Sequence, residues 1–219
     1  MCEKQAKYMK LYKYARICWA SYSTGLNDGM FGKEGFGYVD SEMSKQRISK
    51  KQFLPTYFQA LTQSSMLVFD AYNISFDEDN ANEFVNRYEV LAFTQDNDTG
   101  FSATLFYDKE KDKFVVGFRG TEISFKNIKT DWETILDAIQ DANLTFGKGD
   151  FQANALKQFL LNIAPILNGI DSNKIIFVGH SLGGYLAQMA FIYCDKKHKD
   201  KLSFSPSEVY TFNAPSVYG

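Results

Sequence analysis

The sequence predicts an α/β protein. A mostly parallel sheet is flanked by helices, with antiparallel strands at its start and an N-terminal helical segment ahead of it. Three observations carry this. Residues 174–178, Lys174-Ile175-Ile176-Phe177-Val178, are an apolar, β-branched run that stops at Gly179, and residues 185–190 read as a helix directly afterwards. Residues 88–119 contain two or three β-prone segments separated by turn signals, the pattern of antiparallel strands. Strand, helix and strand then follow one another through residues 174–213, an order that places parallel strands under covering helices.

Taken in order, residues 3–22 read as an amphipathic helix. Tyr8, Leu11, Tyr12, Ala15, Cys18, Trp19 and Tyr22 fall on one face, and Lys7, Lys10, Lys13 and Arg16 lie off it. A membrane-surface helix carries this pattern, as does a helix docked on a core; docking is the expectation. Residues 23–47, rich in Gly, Ser and Asp, read as loop. Residues 49–69 read as helical with a break at Pro55, and the acidic stretch 76–82 as a connector. Residues 88–94 form a strand, 96–100 a turn, 101–107 a second strand, 109–112 a polar hairpin connection and 114–119 a third strand. Helical signals recur at 131–142 and 151–167, and residues 209–213 form a last strand.

Composition excludes several classes. A net charge of −2 gives no reason to expect nucleic acid. No apolar run reaches the roughly 18 residues of a spanning helix. Lysines interrupt the N-terminus, so no cleavable signal peptide is expected; this leaves a cytoplasmic location or secretion by a leaderless route. Cys2, Cys18 and Cys194 are an odd set without metal spacing and read as free thiols. No cofactor or metal is implied. The 20 Phe and 13 Tyr read as core filling ahead of a greasy substrate surface.

The chemistry centres on Gly179-His180-Ser181-Leu182-Gly183. A serine on a sharp turn between strand and helix is presented as a nucleophile, at a helix N-terminus whose free N–H groups favour negative charge. Serine needs a base and an oxyanion hole. One donor is the backbone N–H of Leu182. The second is expected from Phe118-Arg119-Gly120-Thr121, where a strand ends at a glycine and the Thr121 N–H can face the oxyanion, with its hydroxyl as a further donor; the other reading is a plain strand exit. Arg119 reads as a structural ion pair before an acid-binding group. The base is missing. His198 follows Ser181 by 17 residues, roughly 25 Å along a helix. His180 adjoins the serine, but the tight turn directs its ring away, toward packing or a local hydrogen bond. In serine hydrolases with this turn the acid and the histidine follow the nucleophile in the chain. Here they would fall beyond residue 219, so the expectation is a C-terminally truncated piece of a longer enzyme, inactive by itself.

Val116-Gly117-Phe118-Arg119-Gly120-Thr121, Asp131-Trp132, Gly179-His180-Ser181-Leu182-Gly183-Gly184 and Thr211-Phe212-Asn213-Ala214-Pro215 together resemble the class 3 lipases, α/β-hydrolases that include triacylglycerol lipases and phospholipases A1. The resemblance covers residues 88–219, the N-terminal and central part of such a domain; residues 1–87 form a helical segment packed on it. It implies Ser181 as nucleophile, Thr121 and Leu182 as oxyanion hole, and lipid carboxylic esters as substrates, cleaved through an acyl-serine with transient contact to a lipid surface. It also implies a lid over residues 122–142, in which Ile123, Phe125, Ile128, Trp132 and Ile135 would meet an acyl chain. That stretch also fits an ordinary surface helix. Two alternatives stay open: an esterase of small soluble esters, and a non-catalytic lipid-binding or interaction protein derived from a lipase.

Overall fold

The computed structural model describes residues 2–35, 55–63, 66–68, 72–74, 76–96, 99–120, 151–195 and 202–217. The helices are α1 (Glu3–Ala20), α2 (Tyr57–Gln63), α3 (Glu78–Arg87), α4 (Phe151–Leu167) and α5 (Leu182–Asp195). The strands are β1 (Met66–Val68), β2 (Tyr72–Ile74), β3 (Tyr88–Gln95), β4 (Ser102–Asp108), β5 (Lys113–Phe118), β6 (Ile175–His180) and β7 (Glu208–Phe212). β1 and β2 pair as a small hairpin. The other five form one sheet in the order β3-β4-β5-β6-β7. Its first two pairings are antiparallel, β3 with β4 and β4 with β5; the next two, β5 with β6 and β6 with β7, are parallel.

The period-two pleat explains the core. Ile176 and Val178 on β6, Val115 on β5 and Phe106 on β4 face one layer, which α1, α2 and α3 cover with Tyr14, Ile17, Cys18, Leu61, Phe84 and Val85. Ile175, Phe177, Val116, Phe118 and Leu105 face the other, covered by Leu156, Phe159, Leu160 and Ile163 of α4 and by Leu186, Ala187 and Ala190 of α5. A strand sandwiched on both faces must be apolar throughout, which is why β6 reads as a continuous run. This is an α/β architecture, a mixed sheet with antiparallel strands at its start and helices on both faces.

Four readings of the N-terminal third change. Tyr8 and Tyr12 do not reach the core: they are 60% and 53% exposed, while Tyr14, Ile17, Cys18 and Ala20 are buried. The sheet-facing side of α1 instead includes charges that have partners. Lys10 pairs with Glu208 at 2.6 Å and Lys13 with Asp108 at 2.5 Å. In the 49–69 stretch the described helix is α2, and residues 66–68, read as helical, pair with residues 72–74 as strands. Residues 76–82 are not a connector: Asp77 accepts a hydrogen bond from the Asn80 backbone N–H at 2.8 Å and caps α3, whose first turn holds Glu78 and Asp79 against the positive end of its dipole.

Asp108, fully buried at the end of β4, ties these parts together. Its two oxygens accept from Arg87 Nε and Nη2, each at 3.0 Å, and from Lys13, and one also accepts the Glu110 backbone N–H at 3.2 Å. Burial pushes this carboxyl up, but the hydrogen bonds from Arg87 and Lys13 outweigh it and hold the group below its ordinary value. All three cysteines are free thiols; Cys2 is exposed, Cys18 and Cys194 are buried. No described helix is long and apolar enough to cross a membrane.

Candidate active site

Ser181 is the single residue between β6 and α5. Its φ is +54°, a left-handed conformation that costs a non-glycine residue about 1–3 kcal/mol and persists only where its surroundings impose it. They do so here on both sides. The Ser181 N–H donates to the Phe212 carbonyl of β7 at 3.0 Å, and the Ser181 carbonyl accepts from the N–H groups of Gly184 and Tyr185 at 2.9 and 3.3 Å, opening α5. Leu182 is the first residue of that helix and is almost fully buried.

Two glycines make the turn sterically feasible. A Cβ on Gly179 would overlap the Gly183 carbonyl, and one on Gly183 would overlap the Phe118 carbonyl oxygen while lying 2.8 Å from the Gly120 nitrogen. The second contact matters for chemistry, because it presses the start of α5 against the exit of β5. Leu182 and the 118–120 strand exit are thereby brought to the same corner, at the C-terminal ends of β5 and β6, where the N-terminus of α5 also points.

The loop after β7 is fastened to the same helix. Gln188 Nε2 donates to the Pro215 carbonyl at 2.8 Å and Gln188 Oε1 accepts the Val217 N–H at 3.2 Å, while Asn213 turns the chain at φ +49°. His180 directs its ring away from Ser181, as the tight turn requires: its Nδ1 lies 3.1 Å from the hydroxyl of Tyr22. Burial pulls the imidazole below its ordinary pKa, so it is neutral at pH 7. Among the described residues no group hydrogen-bonds the Ser181 hydroxyl and no cluster of His, Cys, Asp and Glu could hold a metal ion. Arg119 makes no ion pair among the described residues; its backbone N–H donates to Ser102 and its buried Nε has no partner.

Of the residues singled out from the sequence, Ser181 and Leu182 meet at this corner. Thr121, the candidate lid residues Ile123, Phe125, Ile128, Trp132 and Ile135, and His198 lie outside the described residues. Sequence reasoning missed Tyr22 and Gln188. Gln188 had a faint signal, seven residues after Ser181 on one helix and so near its face; Tyr22, 158 positions from His180, had none.

Residues 115–219 match the family model for lipase (class 3). Among solved structures, the lipase from Rhizopus microsporus var. chinensis is 14% identical with a TM-score of 0.41, over 98% of this chain and 59% of that one. Lipase II from Rhizopus niveus is 14% identical with a TM-score of 0.42, over 96% of this chain and 63% of that one. The chain thus spans about three-fifths of the length of the lipases it matches. No curated protein sequence matches. Through residues 115–219, which hold most of β5, the serine turn and the loop after β7, this chain is similar to the class 3 lipases.

Proposed function

We propose that the chain carries the nucleophile of a serine hydrolase that cleaves carboxylic esters of lipids, as a triacylglycerol lipase or phospholipase A1, through an acyl-Ser181 intermediate. The observation that carries this is the φ of +54° at Ser181, held on a β6–α5 turn whose helix start is pressed against the β5 exit. Such a turn is a nucleophile elbow. Ser181 Oγ attacks the ester carbonyl, its proton passes to a base, and the tetrahedral oxyanion forms beside the Leu182 N–H. Thr121, next after Gly120, supplies the second donor. The base and its orienting acid come from outside the described residues, in the order Ser, acid, His. Residues 122–142 act as the lid, with Ile123, Phe125, Ile128, Trp132 and Ile135 against the acyl chain, and the partner is a lipid ester presented at a surface.

The test is fatty-acid release from a lipid ester emulsion. Ser181→Ala is expected to reduce release to background while leaving the fold intact; release at the wild-type rate removes Ser181 as nucleophile. Thr121→Val, which keeps the backbone donor, should give a partial loss. Hydrolysis of small soluble esters with none of emulsions would move the protein to the esterase reading.

A further inference from the structure

We propose that Tyr22, at the end of the N-terminal helix, is a positioning residue for this site, tethering the oxyanion side to the nucleophile side. The inference rests on the hydrolase reading for its kinetic consequence and on geometry alone for the tether. The Tyr22 hydroxyl accepts the Gly120 backbone N–H at 3.3 Å and lies 3.1 Å from His180 Nδ1 and 3.4 Å from the His180 carbonyl. It therefore touches the residue before Thr121 and the residue before Ser181. Where the Tyr22 hydroxyl donates to Nδ1, His180 is held as the neutral tautomer protonated on Nε2. The fit leaves no slack: a Cβ on Gly120 would lie 2.6 Å from the Tyr22 oxygen and 2.9 Å from the His180 carbonyl.

The helix is seated to reach this point. The Ser21 hydroxyl donates to the Ile17 carbonyl at 2.9 Å, and it fills the place a side chain on Gly117 of β5 would take. Tyr22 is 6% exposed, so its hydroxyl bonds are made out of water, where a lost partner counts most. The N-terminal helix thus does more than cover the sheet: its last residues set the distance between the two halves of the site.

The experiment is Tyr22→Phe, which keeps the ring and removes the hydroxyl. Three readouts apply: steady-state hydrolysis of a p-nitrophenyl ester, thermal melting, and amide hydrogen exchange at Gly120 with the His180 ring observed by nitrogen NMR. The expected result is a kcat lowered about tenfold at unchanged KM, the worth of one buried neutral hydrogen bond. Melting should fall by about 3–6 °C, the same lost hydrogen bond read as stability, Gly120 should exchange about tenfold faster, and Nδ1 should lose its hydrogen-bonded signature. An unchanged kcat, or a kcat that returns to the wild-type value when assayed well below the variant's melting temperature, overturns the positioning role. If the chain hydrolyses no ester, as a serine without its base would not, the Gly120 exchange rate alone decides the tether: exchange unchanged in Tyr22→Phe overturns it.

Discussion

Gly183→Ala is the sharpest perturbation of the corner that holds Ser181. A Cβ at this position would overlap the Phe118 carbonyl oxygen and stand 2.8 Å from both the Arg119 carbonyl carbon and the Gly120 nitrogen. These are backbone atoms of a strand exit and have no rotamer to escape into. Bringing the Gly120 contact out to an ordinary 3.4 Å takes about 0.6 Å, and clearing the Phe118 oxygen takes more, so α5 and β5 must part by about 1 Å. Overpacking of this kind costs about 1–3 kcal/mol, and rigid opposing atoms place this case near the upper value. For a chain of this size that is a melting temperature lowered by about 6–12 °C. A displacement of about 1 Å between Leu182 and the β5 exit is also worth about a hundredfold in reactivity. Thermal melting and the rate of Ser181 labelling by a fluorophosphonate measure the two effects separately. A variant that melts within about 1 °C of the wild type and labels at the same rate would refute the close approach and the argument built on it.

Asp108→Asn leaves Arg87 and Lys13, only 17% and 19% exposed, facing each other without their counter-charge; it should cost about 2–4 kcal/mol by urea denaturation at pH 7. Because the folded-state pKa of Asp108 is depressed, its contribution is complete above its unfolded value of about 4 and fades as the pH falls further. The variant should therefore show a flatter loss of stability below about pH 4, and an identical acid limb would contradict the pairing. Thiol titration should find Cys2 reacting at once. Cys194, whose thiol burial pushes up to about 12, and Cys18, pushed higher still, should react only after unfolding; fast labelling of either would show that its layer opens.

What could be read from the sequence was whatever local chemistry decides. Ser181 between a β-branched run and a helix left one conformation for the turn, and the apolar run from Ile175 to Val178 announced burial on both faces. The helix at Phe151–Leu167 followed from periodicity alone. What escaped was set by partners distant in sequence. The strands Met66–Val68 and Tyr72–Ile74 exist only through each other, so neither carries a strand signal by itself. Tyr8 and Tyr12 look like core residues by spacing, but α1 spends its sheet-facing side partly on Lys10 and Lys13, whose acceptors lie on β7 and β4. The acids of 77–79 were legible as a helix start in principle, since Asp77 caps and the next two favour the dipole, but acidity also marks loops. At the site, Ser181 and Leu182 are neighbours in the chain, so their juxtaposition is local; the Tyr22 contact depends on how the whole sheet is assembled.

The Gln188 clasp carries a last consequence. One amide holds the carbonyl of Pro215 and the N–H of Val217, and its own helix begins beside Ser181. The loop after β7, as far as Val217, is therefore held at a place surveyed from the serine itself. Any shift in the start of α5 carries that loop along, so the serine and the loop keep their spacing as one piece.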